Sequence, residues 1–211
     1  MQPGCCVWFT GLPCSGKTTV ADLVAEELKR RGLRVERLDG DIVRQSLTRD
    51  LGFSKEDRDK NIERVTFVAK LLSRNGVAVL VSFVSPYIAA RDNARKETTN
   101  FVEVFVDCPV EVCERRDVKG MYKKARAGEI KDFTGVDDPY EPPPHPEIVL
   151  KVAETTPQEC RDLVLQKLEQ LGYVPALSAV TAQKDPEGSG GVYSKEEEEK
   201  IHKRLEDLGY L

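Results

Sequence analysis

Eight residues near the amino terminus have the types and spacing that bind a polyphosphate. Residues 11–18 read G-L-P-C-S-G-K-T, between the apolar run C-C-V-W-F-T and a segment whose apolar positions recur at helical spacing. A strand, a glycine-bounded loop and a helix start are the context of the phosphate-binding P-loop. Its glycines let backbone N–H groups converge on phosphate oxygens, and the helix start adds the positive end of its dipole. The sequence therefore predicts a nucleoside triphosphate site.

Several side chains of this loop have predicted roles. We expect Lys17 to reach the outer phosphates as a catalytic residue and the Thr18 hydroxyl to ligate Mg²⁺. Backbone amides at the helix start are expected to lower the pKa of the Cys14 thiol and open it to oxidation, although a small filler residue is the favoured alternative. The predicted ATP contacts in the loop are Gly11, Leu12, Pro13, Cys14, Ser15, Gly16, Lys17, Thr18 and Thr19.

Length and composition restrict the class of protein. A chain of 211 residues suits one α/β domain with a modest appendage. A net charge of −4, from 32 basic and 36 acidic residues, argues against non-specific nucleic-acid binding. No stretch is apolar enough to cross a membrane, and the amino terminus is too short and polar for a secretion signal. Six cysteines without a CxxC pair, and only two histidines, argue against structural zinc and for free thiols in the cytoplasm.

Apolar patterns along the chain alternate between strand and helix periods. Strands are predicted at residues 5–10, 35–38, 77–83, 101–106 and 148–152, and helices after the P-loop helix at 42–49, 55–74, 87–98, 110–116 and 157–171. This alternation predicts an α/β three-layer P-loop NTPase fold, with a mostly parallel five-stranded sheet and helices on both faces. Ligands bind at the carboxyl ends of such strands, where the polar strings 39–41 and 82–85 fall.

Two segments depart from this pattern. Residues 117–146, here called the lid segment, are rich in basic residues at their start and in proline and acidic residues after it. This composition is equally compatible with a lid that covers an anionic ligand and with a solvated surface loop. Its cations Lys123, Lys124 and Arg126 either close over phosphates or form a solvated face. Residues 1–175 are predicted to form the P-loop domain, and 176–211 a linker with an acidic tail and a short helix from Ser194.

Longer motifs narrow the function. They are L-D-G-D-I-V-R at 38–44, L-G-F-S-K-E-D-R-D-K-N-I-E-R-V at 51–65, S-F-V-S-P-Y at 82–87 followed by R-D-N-A-R, and the run from E-V-F-V-D-C-P to K-D-F-T-G. In this order, over residues 3–171, the chain resembles the adenylylsulfate kinase family. The resemblance implies MgATP-dependent phosphorylation of the ribose 3′-hydroxyl of adenosine 5′-phosphosulfate (adenylyl sulfate) in sulfate activation.

The resemblance also implies catalytic and ATP-binding residues outside the P-loop. Asp41 matches the family's catalytic base, and Asp39 and Asp41 are expected to share the Mg²⁺ with Thr18. From the residues alone, either aspartate could instead cap the next helix. Ser85 matches a position treated as a possible phosphorylated intermediate, but we read it as a helix N-cap and ligand contact because no neighbouring base is evident. Arg116 and Thr155 are expected near the ATP adenine.

The implied acceptor site is anionic and aromatic. Two guanidinium groups, Arg44 and Arg58, are expected to bind the phosphosulfate, and Phe53 and Phe133 to sandwich the adenine. The polar surroundings of Phe133 make core burial less natural for it. Ile42 stands where the family has Asn. The full predicted set is Asp41, Ile42, Arg44, Phe53, Arg58, Asn61, Val84, Ser85, Lys119, Asp132 and Phe133.

The expected cofactors are ATP and Mg²⁺, and the expected partners are adenylyl sulfate, a second copy in a homodimer, and an ATP sulfurylase as a further candidate; neither nucleic acid nor membrane is expected. Two other functions stay open: a kinase with another nucleotide or a small polyol as acceptor, and a nucleotide-dependent switch or regulatory subunit. Paired arginines and phenylalanines argue against an uncharged sugar, and a second-substrate pocket argues against a switch.

Overall fold

In the computed structural model, which describes residues 4–176, five strands form one parallel sheet. They are β1 (Cys5–Thr10), β2 (Val35–Asp39), β3 (Ala78–Ser82), β4 (Phe101–Asp107) and β5 (Ile148–Lys151). The order β2-β3-β1-β4-β5 places β1 at the centre, and every pairing of described strands is parallel, where the sequence predicted a mostly parallel sheet. The P-loop therefore begins at the middle of the sheet.

The described helices agree with the predicted ones except at two places. They are α1 (Lys17–Arg30), α2 (Gly40–Gln45), α3 (Lys55–Arg74), α4 (Ile88–Glu97), α5 (Val110–Arg115), α6 (Met121–Arg126) and α7 (Pro157–Gln170). Helix α6, inside the lid segment, was not predicted. Helix α2 starts and ends earlier than the predicted 42–49, because Asp39 caps its start and Ser46 leaves the helical region with φ −131°.

Alternating side chains of β1 divide the core between the two faces of the sheet. Val7 and Phe9 pack with α1 and α7 on one face, and Cys6 and Trp8 pack with α3 and α4 on the other. The predicted three-layer arrangement is therefore confirmed. Within residues 4–176, no helix is both long enough and apolar enough to span a bilayer. The tail helix predicted from Ser194 lies outside the described residues, so the domain boundary near residue 175 stays a prediction.

The predicted N-cap role of Ser85 is wrong. Helix α4 begins at Ile88 with Tyr87 at the N-cap position, while Ser85 has a left-handed φ of 40°. Pro86 disfavours the helical region for the residue before it, which keeps Ser85 out of the helix. The Ile88 N–H instead donates to the Glu141 carboxylate at 2.7 Å. The end of the lid segment therefore caps α4.

A buried ion pair fixes the same region to the sheet. The Arg91 guanidinium of α4 donates to the Glu103 carboxylate of β4 at 2.8 Å, and both side chains are buried. Arg91 also donates to the backbone carbonyls of Ser85 and Glu141, each at 2.6 Å. One side chain thus joins the sheet, the left-handed turn and the lid segment.

We expect Arg91→Met to lower the free energy of unfolding by about 3 kcal/mol, because it leaves Glu103 buried without its main partner. Urea denaturation followed by circular dichroism measures this value. The matched control is Lys70→Met, which breaks an exposed pair with Glu97 and should leave stability near that of the wild type. Equal losses in the two variants would contradict the role given to Arg91.

Candidate active site

Two glycines shape the loop between β1 and α1. A Cβ atom on Gly11 would lie 2.6 Å from the Val106 carbonyl oxygen, so no larger residue fits there. Gly16 is the N-cap of α1 with a left-handed φ of 101°, a conformation that favours glycine. The predicted strand, loop and helix start are therefore present, with Lys17, Thr18 and Thr19 in the first turn of α1.

The Lys17 ammonium lies inside this loop. Its Nζ atom donates to the carbonyl oxygens of Gly11 at 3.0 Å and Leu12 at 2.7 Å. Burial lowers the pKa of Lys17 to about 8, since removal from water disfavours the charged form. Because its charge is poorly solvated, the Lys17 ammonium is stabilised when negatively charged phosphate oxygens approach it.

A hydrogen-bonded corner connects the loop to the end of β2. The Thr18 hydroxyl donates to the Asp39 carboxylate at 2.8 Å, and the same carboxylate accepts the Asp41 N–H at 3.0 Å. Asp39 is therefore the residue that caps α2, and Asp41 lies in the first turn of that helix, not at the strand end. Hydroxyl and carboxylate oxygens are ligands that Mg²⁺ accepts.

This corner suits a metal that nucleotide and water also ligate. Residues 4–176 contain no cluster of three or more His, Cys, Asp or Glu side chains able to hold an ion by themselves. Magnesium usually retains several waters and binds one or two carboxylates with substrate phosphates. Thr18 and Asp39 fit that partial set.

The lid segment contacts both the corner and the P-loop. Lys119 forms an ion pair with Asp41, and this hydrogen bond raises the pKa of the Lys119 ammonium. Both side chains are exposed, so the pair is screened by water. In α6, the Tyr122 hydroxyl donates to the Pro13 carbonyl at 3.1 Å.

Two guanidinium groups share one exposed aromatic ring. The Arg44 and Arg58 Cζ atoms lie 4.3 and 5.7 Å from the centroid of Phe53, whose surface is 56% exposed. Burial, followed by the like charge of Arg58, lowers the pKa of Arg44. Two neighbouring cations beside a partly exposed ring suit an aromatic anion.

Arg58 also connects this cluster to the lid segment. It donates to the Phe53 carbonyl at 2.9 Å and to the Asp132 carbonyl, and lies 3.9 Å from the Asp138 carboxylate. The predicted acceptor residues Asp132, Arg58, Phe53 and Arg44 are therefore neighbours. The carboxylates of Asp57 and Asp41 partly offset the lowered pKa of Arg44.

Phe133 is buried, so the expectation from its polar surroundings was wrong. Its ring packs edge-on against Tyr122, with centroids 4.9 Å apart. The Asp137 carboxylate accepts the N–H groups of Asp132 at 2.8 Å and Phe133 at 2.7 Å, which holds the turn on which the ring lies. The apolar partner comes from α6, the helix that was not predicted.

The other predicted acceptor residues differ in their surroundings. The Asn61 Oδ1 atom is buried and has no hydrogen-bond partner within residues 4–176, whereas Ile42 is exposed. The Val84 carbonyl accepts a hydrogen bond from the Thr10 hydroxyl at 2.8 Å.

Ser85 is 2% exposed. Its hydroxyl accepts a hydrogen bond from Trp8 Nε1 at 3.0 Å and donates one to Thr10 Oγ1 at 3.1 Å. Its hydroxyl is thus enclosed in a polar network.

The residues predicted near the ATP adenine lie on the β5 side of the loop. Arg116 donates to the Val152 carbonyl at 3.0 Å and to the Ser15 carbonyl at 3.4 Å, so its guanidinium lies between β5 and the P-loop. The Thr155 hydroxyl donates to the Lys151 carbonyl at 2.9 Å, within its own turn. Of the three cations of the lid segment, Arg126 forms an ion pair with Glu114 of α5.

The expectation of a low thiol pKa in the P-loop was wrong. Burial raises the pKa of Cys14, and the nearby Asp117 carboxylate raises it further, outweighing the lowering effects of Lys17 and Lys119. The thiol is therefore a weak nucleophile, and the favoured alternative of a small filler residue agrees with this. All six cysteines are free, as expected.

Sequence reasoning missed the anchors of the lid segment. Asp117 accepts the Met121 N–H at 2.8 Å and caps α6, and Asp138 accepts from Tyr87 and Thr134. Two glycines enclose M-Y-K-K-A-R-A, whose Met121, Tyr122 and Ala125 have helical spacing, so this helix had a recognisable signal. The run T-G-V-D-D-P-Y-E gave no comparable signal for the role of Asp138.

Comparisons with known proteins agree with the motifs. The adenylylsulphate kinase family model matches residues 3–151. A Pseudomonas aeruginosa protein named probable adenylyl-sulfate kinase is 66% identical over 79% of this chain and 78% of its own length. An adenylyl-sulfate kinase of Synechococcus sp. is 61% identical over 81% of this chain and 98% of its own.

A solved structure supports the same family assignment. The APS kinase of Mycobacterium tuberculosis, in complex with AMPPNP and APS, aligns with a TM-score of 0.77 and 46% identity, over 80% of this chain and 99% of that one. The P-loop NTPase fold predicted from the sequence is therefore confirmed. With its family model, its relatives and its fold in agreement, the chain belongs to the adenylylsulphate kinase family.

Proposed function

We propose that this chain transfers the γ-phosphoryl group of ATP to the ribose 3′-hydroxyl of adenylyl sulfate, giving 3′-phosphoadenylyl sulfate and ADP in sulfate activation. The observation that supports it most is the hydrogen-bonded corner in which Thr18 meets Asp39 and Asp39 meets Asp41. That corner joins the triphosphate loop to the exposed carboxylate of Asp41. Membership of the kinase family and the likeness to an APS kinase in complex with AMPPNP and APS support the same reaction.

On the ATP side, the loop from Gly11 to Thr19 holds the phosphates with its backbone amides. The Lys17 ammonium neutralises charge on the outer phosphates as the γ-phosphoryl group departs. Thr18 and Asp39 would hold Mg²⁺, with Asp41 beside them, and a bound ion would supply charge neutralisation. Arg116 and Thr155, on the β5 side, are assigned to the adenine region.

On the acceptor side, Asp41 accepts the proton of the 3′-hydroxyl as its oxygen bonds to phosphorus. Asp41 is 71% exposed at its side chain and is paired with Lys119, an ammonium that an incoming anion can also use. The hydroxyl of Ser85 is fully engaged within its network. We therefore assign Ser85, with Val84, to backbone contact at the acceptor instead of covalent chemistry.

Acceptor recognition rests on paired charges and rings. Arg44 and Arg58 bind the phosphosulfate, Phe53 stacks on the adenine, and Phe133 lines its other side. Asn61, with its unpartnered buried oxygen, accepts a hydrogen bond from the ligand. Lys119 and Asp132 complete the lid side of the pocket, and Ile42 offers its backbone or an apolar wall. A small polyol would leave both guanidinium groups unmatched, which disfavours that alternative.

The enzyme is assigned to the cytoplasm, as a homodimer with an ATP sulfurylase as partner. ATP as phosphoryl donor and six free cysteines support a cytoplasmic enzyme. The family resemblance supports a homodimer, and the chemistry of adenylyl sulfate, a product of sulfate adenylylation by ATP, supports an ATP sulfurylase as partner.

The test of the function is a coupled assay of ADP release with ATP, Mg²⁺ and adenylyl sulfate. We expect Asp41→Ala to lower kcat by about a hundredfold or more, since a general base contributes that much. Arg58→Ala should lower kcat/KM for adenylyl sulfate by a similar factor, because a charged contact to the anion is lost. The melting temperature of Asp41→Ala should stay near that of the wild type, because the Asp41 side chain is exposed.

The matched control is Asp59→Asn, which removes an exposed carboxylate next to Arg58 that pairs with Lys55. This variant should retain wild-type kinetics. Full turnover by Asp41→Ala would refute the proposed base. Phosphorylation of gluconate or another nucleotide in preference to adenylyl sulfate would refute the proposed acceptor.

A second prediction concerns the protonation of Lys17 during ATP binding. Because burial lowers the pKa of Lys17 to about 8, we expect a substantial fraction of the molecules to carry a neutral Lys17 at pH 8. Bound phosphates raise this pKa, so ATP binding should take up a fraction of a proton at pH 8 and much less at pH 6. Above pH 8, affinity should fall as pH rises, since binding must then recover a proton.

Isothermal titration calorimetry in two buffers of different ionisation enthalpy measures this uptake. Lys17→Arg, whose guanidinium stays charged throughout, is the control and should show no uptake at pH 8. Wild-type binding without proton uptake at pH 8 would show that Lys17 is already charged in the free enzyme.

A further inference from the structure

Asp138 lies where three parts of the molecule meet. Its carboxylate accepts the Tyr87 hydroxyl at 3.1 Å and the Thr134 hydroxyl at 3.2 Å, and lies 3.9 Å from Arg58 Nε. Tyr87 is the N-cap residue of α4, Thr134 belongs to the lid segment, and Arg58 belongs to α3. One side chain therefore joins two helices of the domain to the lid.

The surroundings of this carboxylate are largely closed to water. Tyr87 and Thr134 are buried, and the side chains of Asp138 and Arg58 are 15% and 12% exposed. In such a site a charge interacts more strongly than at the open surface. The pair of Asp138 with Arg58 therefore affects the geometry of Arg58 more than an exposed ion pair would.

The position of Asp138 suits orientation of Arg58 without saturating it. Within residues 4–176, Arg58 donates through Nε to the Phe53 carbonyl and through Nη2 to the Asp132 carbonyl. The Asp138 carboxylate lies 3.9 Å from Nε, whose single N–H is already donated, so it attracts the guanidinium by charge without accepting a hydrogen bond. The N–H groups of Nη1 have no acceptor among these residues and can bind a ligand.

The backbone of Asp138 fixes the turn that bears Phe133. Its N–H donates to the Phe133 carbonyl at 3.2 Å, and its carbonyl accepts the Gly135 N–H at 2.9 Å. The side-chain bond from Thr134 closes the same turn. Asp138 thus holds both the acceptor guanidinium and the turn of the buried acceptor ring.

We propose that Asp138 is a positioning residue for acceptor binding, which acts by orienting the Arg58 guanidinium relative to the turn of residues 132–138. This inference rests on the proposed function. Removing a negative charge from an anion site would ordinarily improve anion binding, whereas the loss of Asp138 should weaken it.

Asp138→Asn tests the inference because asparagine retains the shape and one acceptor oxygen for Tyr87 and Thr134. We expect KM for adenylyl sulfate to rise about tenfold, the scale of one contact to a charged group. The kcat value, KM for ATP and melting temperature should change by little, a split that a general structural defect would not give. Steady-state kinetics with each substrate varied in turn measures it.

A double-mutant cycle with Arg58→Ala tests whether Asp138 acts through Arg58. If Asp138 acts through Arg58, then Asp138→Asn should change KM by less than about twofold when Arg58 is already alanine. Asp59→Asn is the control for charge alone, since it removes a carboxylate adjacent to Arg58 that pairs with Lys55. It should leave KM for adenylyl sulfate unchanged.

Three results would overturn the positioning role: an unchanged or lower KM for adenylyl sulfate in Asp138→Asn, an undiminished effect in the Arg58→Ala background, or a parallel rise of KM for ATP with a lower melting temperature. A wild-type enzyme without turnover of adenylyl sulfate would instead refute the proposed function, and the inference with it. An active wild type with an unaffected variant would refute the inference alone.

Discussion

The hydrogen bond from Thr18 to Asp39 is the contact on which the arrangement of the site depends. It joins the P-loop after β1 to the end of β2, two strands away in the sheet. The register makes the contact feasible, because Phe9 pairs with Ser82 and Ser82 pairs with Asp39, which places both strand ends at one level. The same carboxylate caps α2 and so fixes Asp41. The start of α1 and the start of α2 are therefore fixed by one buried side chain, Asp39.

Electrostatics in the ligand-free protein point to anions on both sides of this contact. Burial lowers the pKa of Lys17 within the loop, and burial with a neighbouring guanidinium lowers that of Arg44 near Phe53. Both groups carry charge at some cost to the free protein, and phosphate or sulfate oxygens would offset that cost. Perturbed cations of this kind concentrate where ligands bind. The two clusters therefore suit two anionic groups.

The sequence predicted the parts of this molecule that local patterns determine. Strand periods, the P-loop and the long helix Lys55–Arg74 followed from apolar spacing, and the family resemblance brought Arg44, Phe53 and Arg58 into one neighbourhood. The errors lie where distant residues decide the local structure. Glu141 caps α4 in place of Ser85, Tyr122 gives Phe133 an apolar partner, and burial together with the Asp117 carboxylate raises the pKa of Cys14. No local window contains those partners.

The lid segment illustrates why such contacts matter for function. At its start it is joined to the site by the exposed pair of Lys119 with Asp41, which water screens. At its end, Glu141 and Asp138 bond to α4 through the buried groups Arg91 and Tyr87. Breaking the exposed pair costs little, whereas breaking the buried bonds leaves unpaired polar groups and costs more. The contact at the start of the lid segment is therefore its weaker attachment, and the buried contacts at its end are the stronger one.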